Sequence, residues 1–457
     1  MDWEDTVYLV LLISSVAFGK VLRQIEDKKT RKDVSTFVGF AIVFVTSGVH
    51  ILHPIALVVG NWVIIKYLKK KNVHSISFIF SFLYLVFFRT TEYFGISYPP
   101  GQTNLIQMIL TLKLVGLAFE LHDTRTANMA GKSSSELDCS RIPEPDLIEM
   151  FHYSFCYIGV ITGPYFSYRC YWDMFNRPFS DNAPCLQATL DRAKYLPLYA
   201  VGFLLSSYFF PLKYVETSDF KEQCSLWYRL FYILPCFFTF RMRMYIGMRL
   251  SECVFTMSGL GAYPAVTLPK PGKGPSTNFG NLVTISVDDE RAKEAEYSFE
   301  TIHNIEPWGA EFEYTVRSSM KSWNMTVQYW LATYVYRRFP IKAFRMPATF
   351  LVSSFWHGIY AGHYMCLCSV PFYLPIEDRY VERFKGINLS PKLGKLWFVV
   401  AYTWRMLLMG YWGVAFSLLY VQPAFSFWVS VYFIPSLITV LMYLALPRQQ
   451  KVSLKKT

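Results

Sequence analysis

The chain has 457 residues, 53% of them hydrophobic, 18% aromatic and only 17% charged, against roughly 25% charged in an ordinary soluble protein. The charges are clumped, leaving uncharged runs at Val34–Ile65, Tyr195–Leu212, Met346–Ile376 and Met406–Pro447, each long enough for a bilayer crossing of ~17–25 residues. That pattern excludes a soluble globular class and predicts an all-α, polytopic transmembrane bundle. The net charge of +12 would suit a nucleic-acid binder, but the basic residues flank the apolar runs, where cytoplasmic loops place them, so no nucleic-acid partner is expected.

In chain order, hydropathy predicts spans near 7–22, 35–48, 50–66, 76–94, 105–120, 151–162, 195–212, 226–248, 252–267, 324–336, 346–376, 396–420 and 424–446. The first is followed, not preceded, by its charges and lacks a small-residue cleavage site, so it reads as a retained span. One basic cluster holds Lys20, Arg23, Lys28, Lys29, Arg31 and Lys32, a second Lys66, Lys69, Lys70 and Lys71. Two short crossings between them, broken near "GVHILHP", put both clusters on the cytosolic side and "MDWED" on the other. The stretch 324–336 is too short to span alone and 151–162 is marginal, so ten or eleven crossings are expected, with the rest re-entrant or interfacial. Residues 121–150 and 268–300 are loops too polar for lipid, and 448–457 is a basic tail. With no internal repeat and no heptad array, 1–457 reads as a single membrane domain. Nine cysteines, an odd number scattered mostly through apolar runs, form no disulfide framework, and Cys366 and Cys368 read as small core residues.

Chemistry gathers late in the chain. His357 lies in "SFWHGIYAGHY", inside a run without Lys, Arg, Asp or Glu from Met346 to Ile376. Just before it, in "EYTVRSSMKSWNMTVQYWLATYVYRRFP" (313–340), helical spacing puts Arg317, Lys321, Asn324 and Gln328 on one face and Trp323, Val327, Trp330 and Tyr334 on another. Such a polar stripe faces protein interior or a water-filled cavity, or else meets headgroups as an interfacial helix. His363 is six positions beyond His357, about 120° around a continuous helix, so the two are expected on different faces and no metal site is expected. His50 and His53 have helical spacing but no third ligand nearby. "NMT" at 324–326 and "NLS" at 388–390 are N-glycosylation sequons. A glycan on Asn324 would block the stripe, which leaves Asn388 as the better acceptor.

"SMKSWNMTVQYWL", followed 33 residues after its Asn by "SSFWHG", resembles the signature of the membrane-bound O-acyltransferase family. "YSFCYIGVITGPYFSYRCYWDMF" (153–175), "FFTFRMRMYIG" (237–247), "GLGAYP" (259–264) and "YSFETIHNIE" (297–306) are similar to its lysophospholipid-reacylating branch. The resemblance covers most of the chain and is weakest in the two polar loops and the tail. It implies an internal chamber with Asn324 and His357 as the catalytic pair. It further implies transfer of a fatty acyl group, polyunsaturated such as arachidonoyl, from acyl-CoA as co-substrate to lysophosphatidylinositol, in the endoplasmic reticulum membrane, with no permanently bound cofactor.

The residue chemistry agrees with that expectation. A lipid hydroxyl must lose its proton as it attacks a thioester, and burial penalises the charged form of an imidazole, leaving a neutral proton acceptor. The Asn324 amide can orient the acceptor or donate to the developing oxyanion. Ser353 and Ser354, at i−4 and i−3 from His357, offer a rival as acylated nucleophiles. Arg317, Lys321, Arg241 and Arg243 are candidate clamps for substrate phosphates. Gln328 is a further candidate on the stripe, and Trp323 and Trp356 are candidate walls of an acyl tunnel. Two alternatives stay open. One is an acyltransferase for another lysophospholipid, a sterol or a protein; the other is a transporter using His357 as a proton relay.

Overall fold

The structure, a computed structural model, describes residues 3–68, 71–131, 134–385 and 390–446. Lys69, Lys70, Asn388 and the basic tail lie outside the described residues. Helices dominate: α1 (Trp3–Arg23), α2 (Lys28–Ser47), α3 (Leu52–Tyr67), α4 (Val73–Arg89), α5 (Gly101–Met129), α6 (Leu196–Phe209), α7 (Leu226–Ser258), α8 (Val316–Lys321), α9 (Met325–Trp330), α10 (Arg345–His357), α11 (Ala361–Leu367), α12 (Pro391–Leu418), α13 (Val421–Ser430) and α14 (Ile434–Ala445), with further helices and turns between them. Among the described residues the one sheet is an antiparallel pair, β1 (Tyr263–Pro264) with β2 (Tyr297–Ser298), in the register Tyr263↔Ser298 and Pro264↔Tyr297. It closes the base of the second polar loop, where Gly272 N–H donates to the Thr301 carbonyl at 2.8 Å.

The architecture is the all-α bundle that hydropathy predicts. Asp5–Arg23, Lys28–Tyr67, Gly101–Met129 and Cys185–Glu216 are long and apolar enough to cross a membrane, and α13 with α14 make a fifth such stretch bent by 70°. The expected ten or eleven crossings exceed what length and apolarity alone certify, because other apolar runs fold into helices that carry charge or are broken. The apolar stretch of Cys185–Glu216 is almost wholly exposed while that of Gly101–Met129 is mostly buried. α5 is therefore an interior post, buried on every side from Ile106 to Phe119 and packed on α2, α3 and α4.

Two spans and one basic cluster differ from the hydropathic reading for local reasons. The run 226–248 and the first part of 252–267 form one 33-residue helix, α7. The charges between them pair along the helix, Arg249 with Glu252 at 2.8 Å, so α7 continues to Gly259, whose left-handed φ of 83° ends it. The run 346–376 divides into α10, α11 and a third helix, Val370–Lys385. A Cβ at Gly362 in α11 would stand 2.3 Å from the Ala415 carbonyl oxygen, so α11 lies directly on the backbone of α12. In the first basic cluster, Arg31 is buried against Asp181 at 2.7 Å and Lys32 pairs with Glu149 at 2.6 Å, which ties α2 to protein rather than to headgroups.

Candidate active site

Two tryptophans position the site. A buried indole keeps its N–H only if it finds an acceptor. Trp330, which ends α9, donates to the Leu112 carbonyl of α5 at 3.0 Å, and Trp356, next to His357 in α10, donates to the Met108 carbonyl at 2.9 Å. Those carbonyls are one helical turn apart, ~6 Å along α5. The segments carrying Asn324 and His357 thus hang side by side on one post, inside a shared apolar cluster with Phe82, Val115 and Tyr334.

Asn324 does not continue a helix. It sits in the left-handed region, φ 50° and ψ 49°, a conformation asparagine tolerates better than most residues. It holds the N-cap position of α9 but makes no side-chain capping bond. A more distant residue replaces it. The Asn304 carbonyl accepts from Met325 N–H at 2.7 Å, and the Asn304 side-chain oxygen accepts from Thr326 N–H at 3.3 Å and from the Thr326 hydroxyl at 2.6 Å. Asn304 and Ile305 in turn donate their backbone N–H groups to buried Glu252 at 2.6 and 3.0 Å. The Asn324 carboxamide is left half-buried and without a hydrogen bond among the described residues. The sequon is disfavoured by the same contacts, since Thr326 is fully buried.

His357 ends α10 and is also half-buried, its ring nitrogens making no hydrogen bond among the described residues. Its ring stands edge-on to Phe416 of α12 at 5.3 Å. Here the continuous-helix reading is corrected. The backbone straightens at Gly358 (φ 168°, ψ 176°), and α11 folds back, so that the His363 ring lies 6.1 Å from His357 and 4.4 Å from the same Phe416. Among the described residues no three His, Cys, Asp or Glu side chains gather to hold a metal ion. From Phe416 the aromatic contacts run to Phe240 of α7 at 5.9 Å and on to Trp323, stacked on Phe240 at 6.3 Å. This row of rings joins the neighbour of Asn324 to His357.

The predicted polar stripe is divided rather than continuous, because the left-handed turn at Asn324 separates α8 from α9. Arg317 is held by Asp378 through two bonds of 2.7 and 2.6 Å, Lys321 is exposed at the end of α8, and the Gln328 amide donates to the Met320 and Trp323 carbonyls, fastening the turn from inside. Arg241 is buried and paired with Glu311 at 2.7 and 3.1 Å, while Arg243 is exposed and paired with Asp5 at 2.8 Å. Of the proposed clamps, three therefore already hold carboxylates. Arg241 and Glu311 still border an open groove of about 560 Å³, lined for the most part by apolar residues such as Leu205, Phe209, Leu234 and Phe238. The Ser354 hydroxyl donates to the Phe350 carbonyl at 2.9 Å, and neither serine bonds the His357 ring among the described residues. Sequence reasoning passed over Asn304, Glu252 and Arg89. The first two lie in stretches quoted only for their resemblance or treated as span, and Arg89 was absorbed into a hydrophobic run.

Fold and site together define a class, a multi-pass helical membrane protein in which the segments carrying a carboxamide and an imidazole are both anchored to one buried helix. The model of the membrane-bound O-acyltransferase family matches residues 69–421, and the chain belongs to that family. It is 39% identical over 451 residues to the membrane-bound acylglycerophosphatidylinositol O-acyltransferase of Drosophila melanogaster, covering 95% of this chain and 90% of the relative. It is 37% identical to the Xenopus laevis protein of the same description (97% and 94% covered) and 36% identical to the Homo sapiens one (95% and 91%). Membership implies an acyl donor and a lysophospholipid as substrates.

Proposed function

We propose that the protein transfers a fatty acyl group from acyl-CoA to the free hydroxyl of lysophosphatidylinositol, in the endoplasmic reticulum membrane, with a polyunsaturated chain preferred. The acceptor is supported by the description that the three relatives share; donor, chain preference and location rest on the family resemblance. The single observation that carries the site is that the indoles of Trp330, six residues after Asn324, and Trp356, next to His357, are anchored one turn apart on α5, while the Asn324 and His357 side chains make no hydrogen bond among the described residues.

In the proposed mechanism the acceptor hydroxyl attacks the thioester carbonyl while His357 removes its proton. The C–S bond then breaks, and the proton passes from the imidazolium to the departing CoA thiolate. Asn324 donates to the carbonyl oxygen as charge develops there, or holds the acceptor. Acyl-CoA serves as co-substrate rather than as a bound cofactor. Direct transfer is favoured over a Ser354 acyl-enzyme because that hydroxyl is already engaged by the Phe350 carbonyl.

Microsomes bearing wild type, His357→Ala or Asn324→Ala, given acyl-CoA and a panel of lysophospholipids, test this. At matched abundance, His357→Ala is expected to lose at least ~10²-fold, as removal of a general base does. Asn324→Ala is expected to lose ~10²–10³-fold. Undiminished incorporation by His357→Ala would remove the catalytic assignment, and equal use of every headgroup would remove the acceptor.

A further inference from the structure

The end of α10 is held by a residue from another helix. The last carbonyls of any helix lack partners within it, and in α10 these belong to the residues around His357. Arg89, the last residue of α4, is buried and points its guanidinium at them. Nη1 donates to the Phe355 carbonyl at 2.9 Å, and Nη2 donates to Trp356 at 2.7 Å and to His357 itself at 3.3 Å. Nε donates to the Asn104 side-chain oxygen of α5 at 2.9 Å, which fixes the plane of the fork. Every face of the guanidinium that bonds is thus used to tie three successive carbonyls to α4 and α5.

The following residue cannot supply that restraint. Gly358 is extended and a Cβ there would lie 2.6 Å from His363 Nδ1, so the chain leaves α10 at once with no αL cap to gather the carbonyls. Gly358 N–H closes the Ser354 carbonyl at 3.1 Å, but the three carbonyls beyond it are gathered by the fork from α4, and that turn carries the imidazole.

We propose that Arg89 is a positioning residue for the acyl-transfer step: it clamps the carbonyls of Phe355, Trp356 and His357 so that the imidazole is presented at a fixed place, with Asn104 orienting the clamp. The inference rests on the reading of His357 as the base. A lysine keeps the charge but not the planar fork, and cannot span three carbonyls and an amide oxygen together.

Arg89→Lys, Asn104→Ala, Asn104→Asp and His357→Ala are purified in detergent, their melting temperatures recorded, and initial rates measured against both substrates. Arg89→Lys is expected to lose at least ~10-fold in kcat with both KM values within twofold of wild type, since a misplaced base weakens the transition state and not substrate binding. Asn104→Ala is expected to lose kcat less severely, and Asn104→Asp, which keeps an acceptor for Nε, to recover most of it. Should Arg89→Lys not fold, the contrast between the two Asn104 variants decides alone. Wild-type kcat in Arg89→Lys, a loss carried wholly by KM, or equal kcat in Asn104→Ala and Asn104→Asp would overturn the clamp. If His357→Ala keeps wild-type activity, it is the base that fails; if His357→Ala is inactive and Arg89→Lys is unimpaired, only the clamp fails.

Discussion

Asn324 stands where a capping residue usually bonds its own helix, and Asn304 does that work instead. The exchange frees one carboxamide by committing another, so the two asparagines are not equivalent to mutation. Asn304→Ala removes the acceptor for Thr326 and leaves a buried hydroxyl and N–H to find others, a cost of ~1–3 kcal/mol. It is expected to lower both melting temperature and kcat, whereas Asn324→Ala is expected to lower kcat far more than melting, which falls only by the strain of an alanine at φ 50°. Thermal unfolding beside initial rates separates the two. The sequence marks Asn324 through its spacing from His357, but it carries no comparable mark for Asn304, whose role exists only because a left-handed residue breaks the chain between α8 and α9. The same holds for His363. Helical arithmetic places it on another face, and the extended backbone at Gly358 brings it back beside His357.

At the level of elements, the hydropathic runs locate most helices within a few residues, because burial in lipid or protein selects apolar residues in both cases. They fail where a charge is neutralised along its own helix, as at Arg249 and Glu252 within α7. They fail too where a glycine allows close backbone approach, as at Gly362 against Ala415. Neither the pairing nor the approach has a signature in hydropathy. The post itself was legible as a span and illegible as an anchor. Trp330→Phe and Trp356→Phe each keep an aromatic ring but delete the indole hydrogen bond to α5, worth ~1 kcal/mol, and leave the buried space of the lost pyrrole half unfilled at a further cost. Each is expected to lower the melting temperature in detergent, with Trp356→Phe the more damaging to turnover because it adjoins His357. Unchanged rates in both would show that the anchors hold only the fold.

At the scale of the whole molecule, a charged cluster after the second polar loop ties that loop's end to α7. His303 lies among Glu300, Glu306 and the Arg249–Glu252 pair, with Nδ1 3.0 Å from Glu300 and Nε2 3.4 Å from Glu306. Burial opposes its charged form, but the bonds to the two glutamates prevail and its pKa is pushed up from 6.5 to about 9. A histidine raised in the folded state contributes stability that is complete below 6.5 and is lost as pH rises through about 9. The bonds to His303 lower the pKa of Glu300 and Glu306, so their share is present above 4.5 and is lost as pH falls through the lowered values. Melting temperature is expected to decline between pH 6.5 and 9 in wild type and to decline less in His303→Gln. This cluster also fastens Asn304 through Glu252, which couples the alkaline weakening to the turn at Asn324.

The two indole anchors give the proposed catalytic pair a common frame of reference. Because Met108 and Leu112 lie on a single rigid rod, any lean that a thicker or thinner bilayer imposes on α5 carries both anchored segments along together. The same economy makes that short stretch of rod a weak point: a proline introduced between the two attachment points would swing one group away from the other while every residue at the centre stayed in place.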